Sequence, residues 1–286
     1  MNMIFRRILL ILSVLIFSCT ERIDINTDDA APRLSVFGYV TNKQQQHYIK
    51  ITYSAGYFSK EAPVGISNAI VSISDGESIV YLTEVPDSAG VYRTSEDFYG
   101  IEGRNYTLDI SLDFNKDGIY EKYQATEYMP YKTVVDSVVL KESVMLWAPN
   151  LLLYGKVPET QKNYLALYLK KNTEEQKIFD YFIILSDSYF EGHIIDGYEF
   201  PCFVRDGIIK GDTITFKVCS FSREFTNFIS HARDEVGGSN PIFGGPPVDV
   251  ETNIRALDKN NEIKTAGFFG VFPWDENFTI AEQDFK

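Results

Sequence analysis

YTLDISLDFNKDGIYEKYQATEY, residues 106–128, sets two stretches of one character on either side of a turn. Both flanks alternate apolar with polar residues, the period of a half-buried strand. Between them Asp113, Asn115 and Asp117 alternate and Gly118 follows, which is how a helix-flanked calcium loop begins. Such a loop needs a bidentate acid at its twelfth place, where Gln124 stands, although Glu121 occupies the ninth. Neither flank has helical spacing. Asn115-Lys116-Asp117-Gly118 favours a type I turn followed by a left-handed glycine, the arrangement of a bulged hairpin. The segment is read as a β-hairpin. Calcium held by Asp113, Asn115, Asp117 and Glu121 is the alternative, and no other cofactor is indicated.

Upstream of it, LSVFGYV, HYIKITYSA, AIVSIS, IVYLTEV and GVYRTS are short and rich in branched and aromatic residues. Turn signals separate them at Asn42-Lys43, Asp75-Gly76, Ala89-Gly90 and Glu102-Gly103. This spacing predicts an Ig-like β-sandwich over residues 33–131, ending at Met129-Pro130-Tyr131. The order SNAIVSISDG, GVYRTS, GRNYTLDISL resembles transthyretin-like or carboxypeptidase-regulatory-like modules.

A second set of strands follows, and residues 132–286 are expected to form a β-rich domain. After Phe221 the apolar residues fall at Phe225, Phe228, Ile229, Ala232 and Val236, which is helical spacing. Ser222 is placed to cap that helix and Gly237-Gly238 to stop it, so one amphipathic helix is predicted over about 222–236. Its Phe-rich stripe is read as core. The loop at 237–249, GGSNPIFGGPPVD, is long enough to be a contact surface, with Asn240, Phe243, Pro246 and Pro247 as its candidates. VETNIRALD and IKTAGFFGVF are expected to form a hairpin completing the second sheet. The whole is mainly β: two sandwich-like domains, the second carrying the helix.

At the N-terminus Arg6-Arg7, an apolar run to Phe17, and Ile16-Phe17-Ser18-Cys19 look like a bacterial lipoprotein signal over residues 1–18. Cys19 is then the lipidated residue, and residues 19–32 form a polar tether. That predicts a protein anchored to a membrane rather than spanning it. Cys202 and Cys219 sit symmetrically about Lys210-Gly211, so a cross-strand disulfide and two buried thiols are both open readings.

The formal net charge of −13 disfavours nucleic acid and other polyanions, and no basic cluster in the sequence offsets it. No P-loop, GxSxG, HExxH or GxGxxG occurs. The three histidines, His47, His193 and His231, read as solvated or locally bonded side chains. Trp147 and Trp274, the two tryptophans, are the first exposed-aromatic candidates for ligand contact.

The lipobox, the sandwich and the segment from the helix through SNPIFGGPPVDVETNI to TAGFFGVF together resemble a lipoprotein family of the Bacteroidetes, domain of unknown function 4249. Asn240-Pro241, Phe243, Pro246-Pro247, Val250, Asn253-Ile254 and Ala266-Gly267-Phe268-Phe269 carry the match. The resemblance implies no catalytic residues. It implies a non-enzymatic binding or accessory subunit at the outer membrane, on its surface or periplasmic face, beside a TonB-dependent transporter barrel, with the ligand unknown. An adhesin or fimbria-like assembly protein is the alternative, and an unrecognised secreted hydrolase the third.

Overall fold

Alternation shapes the N-terminal strands: in Asn105–Leu112 the residues Tyr106, Leu108, Ile110 and Leu112 are buried, and those between them face outward. A computed structural model describes residues 33–54, 62–143, 149–175, 183–186, 194–202, 207–237 and 250–285. Its first strands are β1 (Leu34–Thr41), β2 (Tyr48–Tyr53), β3 (Ile70–Ser74), β4 (Ile79–Tyr81), β5 (Thr83–Glu84), β6 (Val91–Arg93), β7 (Asn105–Leu112) and β8 (Glu121–Tyr128). Then come β9 (Val134–Lys141), β10 (Asn150–Lys156), β11 (Tyr164–Lys171), β12 (Glu174–Glu175), β13 (Ile183–Ser186), β14 (Ile194–Pro201) and β15 (Thr213–Phe221). Helix α1 (Arg223–Gly237) precedes β16 (Arg255–Ala256), β17 (Thr265–Phe272) and β18 (Trp274–Ile280).

Two five-stranded sheets, β17-β1-β2-β6-β5 and β16-β8-β7-β3-β4, face each other as the first sandwich. Leu34, Val36, Ile49 and Val271 from one sheet meet Ile73, Leu108, Ile110 and Tyr123 from the other in a single core. The second sandwich sets β14-β10-β9 against β12-β11-β15-β18, with β13 also on β11. Its core joins Val138, Leu151, Leu153 and Phe200 to Leu165, Ile214, Phe216 and Val218.

The C-terminal hairpin differs from expectation. IKTAGFFGVF does not complete the second sheet: β17 runs parallel to β1 from Leu34↔Thr265 to Thr41↔Phe272, inside the first sandwich. VETNIRALD also returns there, since β16 pairs with β8. Only β18, beyond Pro273, joins the second sandwich by pairing with β15. The chain therefore crosses between sandwiches three times, at residues 129–133, between β15 and β16, and again at Pro273, and all described residues fall in one compact unit. Physically, β17 is buried on both faces. Phe269 and Val271 enter the first core, while Phe268 and Phe272 enter a third cluster with Phe221, Phe225, Phe228 and Ile229.

Helix α1 lies where its spacing placed it. The Ser222 hydroxyl accepts a hydrogen bond from the Phe225 amide at 2.9 Å, a side-chain N-cap. Phe225, Phe228 and Ile229 form its buried stripe, each such side chain contributing about 1.5–3 kcal/mol on burial. Gly270 makes this approach possible, because a Cβ there would stand 2.8 Å from the Phe225 ring.

Candidate functional site

The third cluster does not fill the space beside it. Where the outer face of β1 meets β11, β15 and α1, a cavity of about 520 Å³ opens. Strand β1 supplies Phe37 and Tyr39, which alternate outward from the core residues Val36 and Val40. Strands β11 and β15 supply Tyr168 and Lys217, and the Pro273 corner supplies Phe272 and Trp274. The walls combine aromatic rings with a few polar groups, among them Thr41, Gln45, Lys170 and Thr215, the usual composition of a small-ligand site of this size.

Among the described residues, Trp274 is the sequence-predicted contact residue at this cavity. Asn42 fixes it, accepting from its amide at 3.0 Å and donating to its carbonyl at 3.2 Å. Two ammonium groups lie over its ring, Lys43 Nζ at 4.3 Å and Lys217 Nζ at 4.0 Å from the centroid. Deep in the wall, burial raises the Tyr168 hydroxyl well above the ordinary phenol range and pushes the Cys219 thiol up to about 12. Both are uncharged at neutral pH. Glu276, exposed at the rim, pairs in register with Lys217 and is the acid that lines the cavity.

The remaining predicted residues are distributed elsewhere. Cys19, Trp147, Asn240, Phe243, Pro246, Pro247 and His193 lie outside the described residues. Cys202 and Cys219 are free, buried and in different cores. They do not face each other across a hairpin, because β14 pairs with β10 while β15 pairs with β11 and β18. Burial drives Cys202, like Cys219, up to about 12.

The DFNKDG segment forms the hairpin loop between β7 and β8, with Lys116 at φ 59° and Gly118 at φ 85°. Asp113 accepts from the Asp117 and Gly118 amides at 3.0 and 3.1 Å, and Asp117 from the Ile119 amide at 2.8 Å. Glu121 accepts from the Phe114 amide at 2.8 Å and from Asn115 Nδ2 at 2.9 Å. The proposed calcium ligands thus tie the turn to itself, as Asx-type turns do. Among the described residues no group of three His, Cys, Asp or Glu is spaced to hold a metal.

Two buried titratable residues escaped the sequence reading. His47 was expected in a solvated or locally bonded place. It is only 2% exposed, with Nε2 at 3.1 Å from Thr41 Oγ1. Its Nδ1 has no well-aligned partner, the Gln45 backbone offering a weak one. Burial lowers its pKa to about 4, so the ring is neutral at physiological pH. Glu127 follows Tyr123 and Ala125 on the inward face of β8. Burial raises its pKa to about 7, hydrogen bonds to Ser222 and Asn253 opposing the shift and Glu224 adding to it. The β8 alternation was the signal that placed Glu127 inside. His231 is exposed on α1.

No curated protein matches the chain. Among solved structures the chain is similar to one titled "Crystal structure of chicken CNTN1 FN1-FN3 domains", at 14% identity and a TM-score of 0.29, covering 68% of this chain. This chain spans 63% of that one. The model of the family described as Domain of unknown function (DUF4249) matches residues 20–277, and the chain belongs to that family.

Proposed function

We propose that this protein is a non-enzymatic binding subunit, lipid-anchored through Cys19 at the outer membrane, that holds a small ligand in the cavity beside Trp274. The observation that carries the reading is the cavity's construction. Residues distant in sequence, from β1, β11, β15 and the Pro273 corner, converge on about 520 Å³ of space that seven aromatic side chains help to line. A concave space of this size, with several rings and a few polar groups, is the usual form of a small-ligand site. The charged groups that line it are Lys170, Lys217 and the rim acid Glu276.

The accessory role beside a TonB-dependent barrel is part of the same proposal and rests on the family resemblance and the lipobox. The fimbria-like alternative needs a first strand that can leave its sheet. Here β1 is paired along its length with β17 and also with β2, so its removal would break both edges.

The test is an affinity purification of the tagged, lipidated protein from detergent-solubilised outer membrane. A TonB-dependent barrel in near-equal amount supports the accessory role, and a protein recovered alone overturns it. Replacing Cys19 by Ser should move the protein from the membrane to the soluble fraction. Retention at the membrane would reject the anchor.

A further inference from the structure

The ring of Trp274 carries two ammonium groups and no anion. Lys43 Nζ and Lys217 Nζ stand 4.3 and 4.0 Å from its centroid, so the two cations are no farther apart than the sum of those distances. Among the described residues neither lysine takes part in an ion pair. Both are partly buried, which weakens the screening of their mutual repulsion by water. A chain of net charge −13 has carboxylates to spare, yet two lysines from distant parts of the sequence converge here on an uncharged ring. The indole offers each a quadrupole contact, but it does not neutralise them.

The space beside this pair is mainly apolar, with Thr41, Gln45, Lys170 and Thr215 as polar members of its lining. Phe37, Tyr39, Tyr168 and Phe272 present rings to it, and Tyr168 and Cys219 contribute no negative charge because burial keeps both protonated. Glu276 is the exception, exposed at the rim one strand from Lys217. The site therefore has a mainly apolar interior, with Lys170 and Lys217 in its wall and Lys43 on the ring of the lining residue Trp274.

We infer that the cavity binds an amphiphilic organic anion, its anionic head held by Lys43 and Lys217 beside Trp274 and its apolar body lying among Phe37, Tyr39, Tyr168 and Phe272. The inference rests on the binding reading above and names the ligand's chemistry. Charge complementarity fixes the head group's sign, since an anion relieves a repulsion that the folded protein otherwise keeps. The rings fix the body as apolar, either a linear acyl chain or an aromatic system.

Calorimetric titration of the chain that follows Cys19, produced without its lipid so that no detergent competes, separates these features. The probes are decanoate, 2-naphthoate and the uncharged decanol. Decanoate or naphthoate should bind, whichever is tighter identifying a lipid-derived or an aromatic source. Decanol should bind about tenfold more weakly than decanoate, the loss expected for removing one charge-assisted contact. Lys43→Gln and Lys217→Gln should each weaken the anion and leave decanol unchanged, Lys217→Arg should restore binding, and Glu276→Gln should strengthen it. Thermal melts of each variant show that the fold is kept, and the wild-type comparison of decanoate with decanol needs no variant at all. Equal affinity for decanoate and decanol overturns the anionic inference while leaving a binding cavity. Failure of all three probes to bind overturns it as well, and the membrane purification then judges the accessory role independently.

Discussion

Asn42 holds both ends of one residue's backbone: its side chain accepts from the Trp274 amide at 3.0 Å and donates to the Trp274 carbonyl at 3.2 Å. The pair links the turn after β1 to the first residue of β18, so the loop of one sandwich sets the entry of the chain into the other. Asn42→Ala leaves two partly buried backbone groups without these partners, and a loss of about 1–3 kcal/mol is expected in denaturant unfolding. In a Trp147→Phe background Trp274 is the sole tryptophan, and its emission should shift in the native state. An unchanged midpoint and an unchanged spectrum together would show that the bracket contributes nothing.

Gly267 sits at φ +87°, and a Cβ there would collide with the carbonyl of Val36 across the β1–β17 pair. Gly118 has a similar φ of +85° but nothing within 4 Å of the same position. Gly118→Ala should therefore cost only the backbone strain, about 1 kcal/mol. Gly267→Ala should cost about 2–4 kcal/mol. Thermal unfolding of the two variants side by side measures the difference, and equal losses would contradict the close approach of β17 to β1.

His47 and Glu127 pull the pH dependence of stability in opposite directions. Burial lowers His47 from 6.5 to about 4, so the unfolded chain takes up that proton first and stability falls as pH drops through this range. Burial raises Glu127 from 4.5 to about 7, so the unfolded chain loses that proton first and stability falls as pH rises through this range. Where the windows overlap the slopes offset each other, each worth at most about 3 kcal/mol. Glu127→Gln should leave a midpoint that rises with pH across the overlap. His47→Gln should leave one that falls. Parallel curves for both variants and the wild type would remove these two groups as the cause.

Cys202 and Cys219 should both be slow to react with an aromatic disulfide reagent in the native state, since burial raises each to about 12 and little thiolate forms at neutral pH. Two thiols should titrate in denaturant. A peptide map joining the two residues by a disulfide would contradict their placement in separate cores.

The elements that local chemistry specifies were readable in the sequence. The β7–β8 hairpin was visible in its alternation and in Asn115–Gly118, and α1 in the spacing of Phe225, Phe228 and Ile229 with Ser222 before them. What escaped is long-range. FFGVF shows no alternation because β17 is buried on both faces, so nothing in it told which sheet it joins. A parallel partner such as β1 also leaves no turn signature between the two strands. The cysteine symmetry about Lys210-Gly211 misled, because strand pairing is decided by cores and not by equal spacing. The cavity had only Trp274 as a forerunner. Lys43 and Lys217 look like ordinary surface lysines until the Pro273 corner carries Trp274 to the turn after β1 and to β15, which bear them.

The parallel pairing of Leu34–Thr41 with Thr265–Phe272 has a consequence for biogenesis. The first described strand acquires one of its two neighbours only near the end of synthesis. Until then the N-terminal sheet has an open edge along β1, the kind of edge that recruits wrong partners. Closing it requires a contact of very high sequence separation, which slows folding. A chain cut short before β17 would leave its earliest segment incomplete, so faults at the C-terminus should be felt first at the N-terminus.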